Sequence, residues 1–410
     1  MKKKNLFYCL LIIFIILAAL ISIILGVNSH KSKTSIIVGF YDSSESIDTS
    51  LSSLISSYCN TIDLEAKFYI FNSDSDISKQ IKKNKIDFII APAGYAVKKA
   101  ANLADEGCAY PSEKLSEMFS SMQQSIIVKD GKNKALPLIF DNFEINIEKS
   151  AFYMSGMPSI ATWEDIEKFA SIQKDKIDYP ISFAGADYNC LLDLLGALGE
   201  AFEGEAAYNK AADILSLQAS LSTFDAKEVA DKLFIVPDAP LAYSLYYLRK
   251  LVEKGYVTPA SQYLRHSDIN SYIQQRVTNL FFTKLSVHRT YDVRAIDRYS
   301  SIFVPSKTIP ENRHFTATIT YAVPVNSKNK NINSLIEYLL STKVQGELSE
   351  MTGLAPVLAN CPTPDQQSDD ARYWVAATST PLAGLSHEAE LTDTQKEALR
   401  DAILSLVFKL

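Results

Sequence analysis

The stretch Leu136–Ala170, LPLIFDNFEINIEKSAFYMSGMPSIATWEDIEKFA, decides how this chain is built. Leu136–Phe140 reads as a buried strand. It passes through Asp141 and Asn142 into an alternation of apolar Phe143, Ile145 and Ile147 with polar Glu144, Asn146 and Glu148, the period-2 signature of a strand. A short helix and a Ser155-Gly156 turn are expected next. After Pro158, Thr162 is placed to cap a new helix, with Glu164 and Asp165 suited to its first turn. A strand that leaves one layer and continues in another is how a chain crosses between two lobes.

The size of the chain agrees with two lobes, because 410 residues are too many for one ordinary core. The formal net charge is -6, and no basic block follows Lys2–Lys4, which argues against a nucleic-acid partner. Of the five cysteines, Cys9, Cys59, Cys108, Cys190 and Cys361, none lies in a Cys-x-x-Cys or Cys/His cluster, so no zinc site or other cofactor is indicated. The last four could pair in an exported protein or remain buried free thiols. Gly-x-Ser-x-Gly and His-Glu-x-x-His are absent and the five histidines are scattered, so the chain does not read as an enzyme.

The N-terminus predicts an anchor. Lys2–Lys4 precede an uncharged apolar run, Leu6–Val27, long enough to span a bilayer. The lysines place the short end in the cytoplasm and the body outside. Residues 1–27 are therefore expected to form a transmembrane helix, with cleavage near Gly26 or Ser29 left open, and 28–35 a polar linker.

Ser35–Tyr41, Leu64–Phe71 and Ile86–Ile90 read as strands separated by helices, an α/β unit with a parallel sheet. Ligands bind beyond the carboxyl ends of such strands. That puts Asp42, Ser43, Gly94 and Tyr95 at the candidate ligand edge, although Asp42-Ser43 also suits a helix cap and Pro92-Ala93-Gly94 a plain turn. Beyond the crossover, Tyr179–Phe183 reads as a strand and Cys190 to about Ala201 as a helix. Ala239–Gly255 is an amphipathic helix carrying Leu241, Leu245, Leu248 and Val252, with a Gly255 cap. Asn360–Asp370 reads as a linker and Thr392–Phe408 as a last amphipathic helix.

Several of these segments together resemble the extracellular solute-binding proteins of the sugar type, the maltose-binding-protein group. The order strand, short helix, Gly, Pro, Thr162-Trp163-Glu164-Asp165 is similar to that family's crossover. Gly255-Tyr256-Val257-Thr258-Pro259 matches its turn, and Thr316–Val323 its second crossover. The most specific match is the tail: Ser327-Lys328-Asn329-Lys330, Leu335–Leu340, Val344-Gln345 and Met351-Thr352-Gly353-Leu354-Ala355-Pro356-Val357. The resemblance implies a two-lobe type II periplasmic-binding fold, with lobe one at 36–141 plus 318–362 and lobe two at 142–317 plus 363–410. It implies hinge closure around a small, carbohydrate-like solute and delivery, as a monomer, to the permease subunits of an ABC transporter, the body lying in the periplasm.

The same resemblance places Tyr188 where a ring stacks on the ligand, and Asp141 where a carboxylate meets ligand hydroxyls; local packing and hinge stabilisation are the structural alternatives. Thr283–His288 stands where the family carries Gly and an aromatic platform, so Lys284 and His288 are considered for an anionic ligand. The missing platform also favours a second reading, a solute-binding fold repurposed as a sensor or interaction module. A cleft filled by Phe281, Phe282 and Tyr188 would mark that outcome.

Overall fold

The computed structural model describes residues 35–104, 115–119, 122–123, 127–129, 132–302, 304–305, 315–376 and 381–408. The expected anchor and linker, with Cys9 and Cys108, lie outside these residues. Among the described residues no helix is long and apolar enough to cross a membrane.

The strands are β1 (Ser35–Tyr41), β2 (Glu65–Phe71), β3 (Phe88–Pro92), β4 (Ile127–Lys129), β5 (Lys132–Glu148), β6 (Ile181–Ser182), β7 (Leu280–Lys284), β8 (Tyr299–Ile302), β9 (Phe315–Pro324), β10 (Ala355–Pro356) and β11 (Pro381–Leu382). Their order is β2-β1-β3-β9-β5-β7-β6. β1 runs parallel to both β2 and β3, and β9 lies antiparallel between β3 and β5.

β5 joins two sheets. Its residues Leu136–Asn142 pair with β9, whereas Phe143–Ile147 pair with β7 on one side and Ile145–Glu148 with β8 on the other. The partner changes one residue beyond Asp141, without a break in the strand. The crossover segment then follows its caps. Glu148 accepts from the Ala151 amide at the start of helix Lys149–Ser155, which closes on Gly156 in the left-handed region (φ 68°). Thr162 and Asp165 form a reciprocal capping box on helix Trp163–Lys174.

Two large apolar clusters lie on either side of this change of partner. One gathers residues from β1 to Phe140 with Ile319–Leu358, and the other gathers Phe143–Val257 with Leu382–Val407. Trp163 sits in the second, its ring 5.4 Å from Phe202 and 5.3 Å from Tyr247. A smaller cluster around Phe281, Tyr291 and Tyr299 adjoins it.

The structure corrects several local expectations. Residues 360–370 are not all linker: a helix begins at Gln366 and runs to Ala376, and its Ala371 and Val375 join the first cluster rather than the second. The strand near 180 shrinks to Ile181–Ser182. The last helix, Asp393–Val407, buries Leu399, Ile403 and Val407, leaving Ala398 exposed. The polar positions of β5 are not wet, because Glu144 and Asn146 are fully buried beneath β8 and the Gln366–Ala376 helix. Cys59, Cys190 and Cys361 are buried free thiols.

Candidate ligand-binding site

A cavity of about 260 Å³ opens where the two clusters face each other across β5. The first side supplies Asp42 and Ser43 beyond β1, Pro92 at the end of β3, and Thr318 and Thr320 of β9. The crossover supplies Asp141 and Phe143. The second side supplies Asp187 and Asn189 at the start of helix Tyr188–Glu203, His266, Lys284 and Ser286. His387, from the segment before the last helix, completes the wall.

Asp42 is placed by its backbone. Its φ of 50° lies in the left-handed region that Asp tolerates better than most residues, and its N–H donates to Phe71 O at 2.9 Å. Asp141 is held by Ser286, whose N–H donates to Oδ1 at 2.9 Å and whose hydroxyl donates to Oδ2 at 2.5 Å. The residues standing where an aromatic platform was expected therefore provide a hydroxyl and an amide instead. Asp187 caps the Tyr188–Glu203 helix through the Asn189 and Cys190 amides and meets His266 Nε2 at 2.8 Å.

The cations of the site are already paired. Lys284 Nζ lies 2.6 Å from Asp193 Oδ2, and Asp193 is fully buried. Burial alone would depress the Lys284 ammonium, but Asp193 and Asp141 outweigh it and raise its pKa. Lys284 also lies 3.3 Å from His387 Nε2. An ammonium can only donate, so His387 Nε2 accepts, and a neutral ring then carries its proton on Nδ1, the nitrogen facing Asp42 Oδ2 at 3.8 Å. Burial first, and Lys284 next, push the His387 pKa down to about 4. Lys396 Nζ lies 3.4 Å from the same Asp42 oxygen. His288 turns away from the cavity and meets Glu144 at 2.5 Å. Lys284 and His288 thus do not form a free cationic pair for an anion.

Of the residues singled out from sequence, Asp42, Ser43, Asp141 and Lys284 come together around the cavity. Gly94 and Tyr95 do not line it. Gly94 (φ 118°) lies under the chain's own C-terminal segment, so close that a Cβ would stand 2.1 Å from His387 O, and the Tyr95 hydroxyl donates to Glu390. Tyr188 is 8% exposed and belongs to the second core; it backs an adjoining open groove, with Lys396 5.8 Å from its ring centroid. Sequence reasoning missed Asp187, His266, Ser286 and His387. Only Asp187 carried a local signal, an Asp directly before a helical run. Phe281 and Phe282 lie in the cores and leave the cavity open.

Burial raises the Asp141 carboxyl from 3.8 to about 6, against the lowering pull of Lys284 and Ser286. Such a group favours the fold below its unfolded pKa, and that contribution is lost as pH rises through about 6. Asp141→Asn, compared with wild type, should therefore gain stability between pH 4 and pH 7, by about 3 kcal/mol at most. Urea midpoints at the two pH values check this; a difference that does not change with pH would refute it.

No protein-family model matches this sequence, and no curated protein matches it. Solved structures do match. The bacterial solute receptor AcbH, described as exclusively preferring β-D-galactopyranose, superposes with a TM-score of 0.67 at 13% identity, covering 90% of this chain and 96% of that one. The chain has the fold of the two-lobed solute-binding proteins. A chitin oligosaccharide binding protein gives 0.66 at 16% identity, covering 92% and 94%. A sugar transporter protein of Bacillus licheniformis in complex with stachyose gives 0.62 at 12%, covering 90% and 94%. In this solute-binding fold the crossover strand β5 carries Asp141 to the cleft between the lobes, where the cavity lies.

Proposed function

We propose that this protein is an extracytoplasmic solute-binding protein that holds a small, hydroxyl-rich solute of carbohydrate type and delivers it to the permease subunits of an ABC transporter. The carrying observation is the cavity at the change of sheets. Its carboxylates Asp42, Asp141 and Asp187 and its hydroxyls on Ser43, Ser286, Thr318 and Thr320 suit a partner that donates and accepts many hydrogen bonds. With Lys284 neutralised by Asp193, an anionic solute finds no free lysine or arginine among the described residues that line the cavity. The role is binding, without bond making or breaking. Residues 1–27 hold the body at the outer face of the membrane. Lobe one is 36–141 with 318–362 and the helix Gln366–Ala376, and lobe two is 142–317 with the chain from 381. The cavity left open by Phe281, Phe282 and Tyr188 favours this reading over a repurposed sensor.

Thermal unfolding of the full chain with a panel of neutral sugars, polyols, sugar phosphates and amino acids tests it. A ligand at a hundred times its Kd stabilises the native state by about 2.7 kcal/mol. Neutral sugars or polyols are expected to raise Tm, and Asp141→Ala to remove that rise. A rise with sugar phosphates or amino acids alone would overturn the assignment.

A further inference from the structure

The C-terminal segment between β11 and the last helix, residues 383–391, touches both lobes, and the two sets of contacts differ in kind. Toward lobe two it is built into the core. Leu385 and Leu391 are buried in the second cluster, and Leu385 packs on Gly196 so closely that a Cβ there would lie 2.8 Å from its own. The Ser386 amide donates to Asp193 at 2.9 Å, the Tyr208 hydroxyl donates to Ala383 O, and the Ser216 hydroxyl donates to Glu388 O at 3.0 Å.

Toward lobe one, apart from Ala383 against the first core, the contacts are mainly polar and converge on the start of helix Tyr95–Leu103. Lys98 Nζ meets Glu388 at 2.8 Å, Lys99 Nζ meets Glu390 at 2.8 Å, and the Tyr95 hydroxyl donates to Glu390. Gly94 receives the His387 carbonyl in a space no side chain could share. The void left between the segment and lobe one is about 20 Å³, room for about one water. Alongside, Asp393 at the start of the last helix accepts from the Ser73 hydroxyl at 2.7 Å.

We propose that residues 383–391 are a clasp: a part of lobe two that latches onto lobe one and holds the lobes together without a ligand. Apolar packing is non-directional and costly to undo, whereas partly exposed ion pairs are weak and salt-screened. On opening, the segment stays with lobe two and the latch at Tyr95, Lys98 and Lys99 parts. The clasp also closes the Gly94 side of the cleft, so solute enters through the open groove beside Tyr188, lined by Asp187, His266 and Lys396. The solute-binding fold therefore begins its cycle here from a latched state. The clasp rests on the two-lobed fold and is independent of which solute binds.

Amide hydrogen exchange of the full chain, with no solute added, tests the clasp whatever the sugar panel shows. In wild type, peptides covering 92–99 and 383–391 are expected to be protected. In Glu388→Gln/Glu390→Gln, exchange across 92–99 should quicken about tenfold, while the core helix 188–203 stays as slow as in wild type. Raised salt should act in the same direction. Rapid exchange of both segments in wild type would overturn the proposal, as would a double variant with wild-type exchange at 92–99. If the double variant also loosens 188–203, Tyr95→Phe, which removes one hydroxyl and no charge, decides by the same comparison.

Discussion

Replacing Asp193 with Ala should destabilise the protein by about 3–5 kcal/mol, the cost of leaving a buried charge without its partner. Asp193 is fully buried, and the Lys284 side chain opposite it is 14% exposed. The substitution strands the ammonium and also removes the acceptor of the Ser386 amide, so the start of the C-terminal segment loses an anchor. Gly384 shows how tightly the carboxylate is held, since a Cβ there would meet its Oδ1 at 2.6 Å. The measurement is urea unfolding of Asp193→Ala, Lys284→Met and the double variant. Lys284→Met in the Asp193→Ala background should recover most of the loss, because the stranded charge is gone. Equal losses in the single and double variants would show that the pair is not what holds this wall.

Glu144→Ala is expected to cost a similar amount, about 3–5 kcal/mol. Glu144 lies behind β5, outside the lining of the cavity, and is fully buried. It receives His288 at 2.5 Å, the Ser301 hydroxyl at 2.9 Å, Asn146 at 3.0 Å and Gln367 at 3.1 Å. Gln367 comes from the helix whose Ala371 and Val375 pack in the first core, so the network ties that helix to β5 and β8 at the back of the crossover. Burial by itself would raise the Glu144 carboxyl, but His288 and the hydrogen bonds overcome it and hold it below its ordinary 4.5. A depressed carboxyl supports the fold above its unfolded pKa, and that support fades as pH falls below about 4.5. Glu144→Gln keeps an acceptor and should cost less than the Ala variant. A double-mutant cycle with His288→Ala measures the coupling; additive losses would place the energy elsewhere.

The crossover was legible in the sequence because its signals are local. Phe143, Ile145 and Ile147 alternate at the period of a strand, and Thr162 and Asp165 stand at capping-box spacing. Both are properties of a few consecutive residues, and the structure bears both out. That the ends of β1 and β3 meet at one cavity was legible for the same reason. Strands that end in Asp42-Ser43 and Pro92 bring their carboxyl ends together whatever the rest of the chain does.

What periodicity cannot report is which polar residues a distant segment will cover. Glu144 and Asn146 read as the polar face of a strand, yet β8 and the helix from Gln366 bury them in a closed hydrogen-bond network. Gly94 and Tyr95 read as cavity residues, yet a segment some 290 positions away occupies their edge. Lys284 reads as a free cation, and its partner Asp193 lies on a helix with no motif to connect them. The sequence by itself determined the two lobes, the strand that joins them and the acidic residues at the joint, because each follows from local backbone geometry and the burial of one apolar face. Only the tertiary structure decided which charges are neutralised and which edge is closed, because ion pairs and buried hydrogen bonds form between side chains whose nearness is set by packing and not by spacing along the chain.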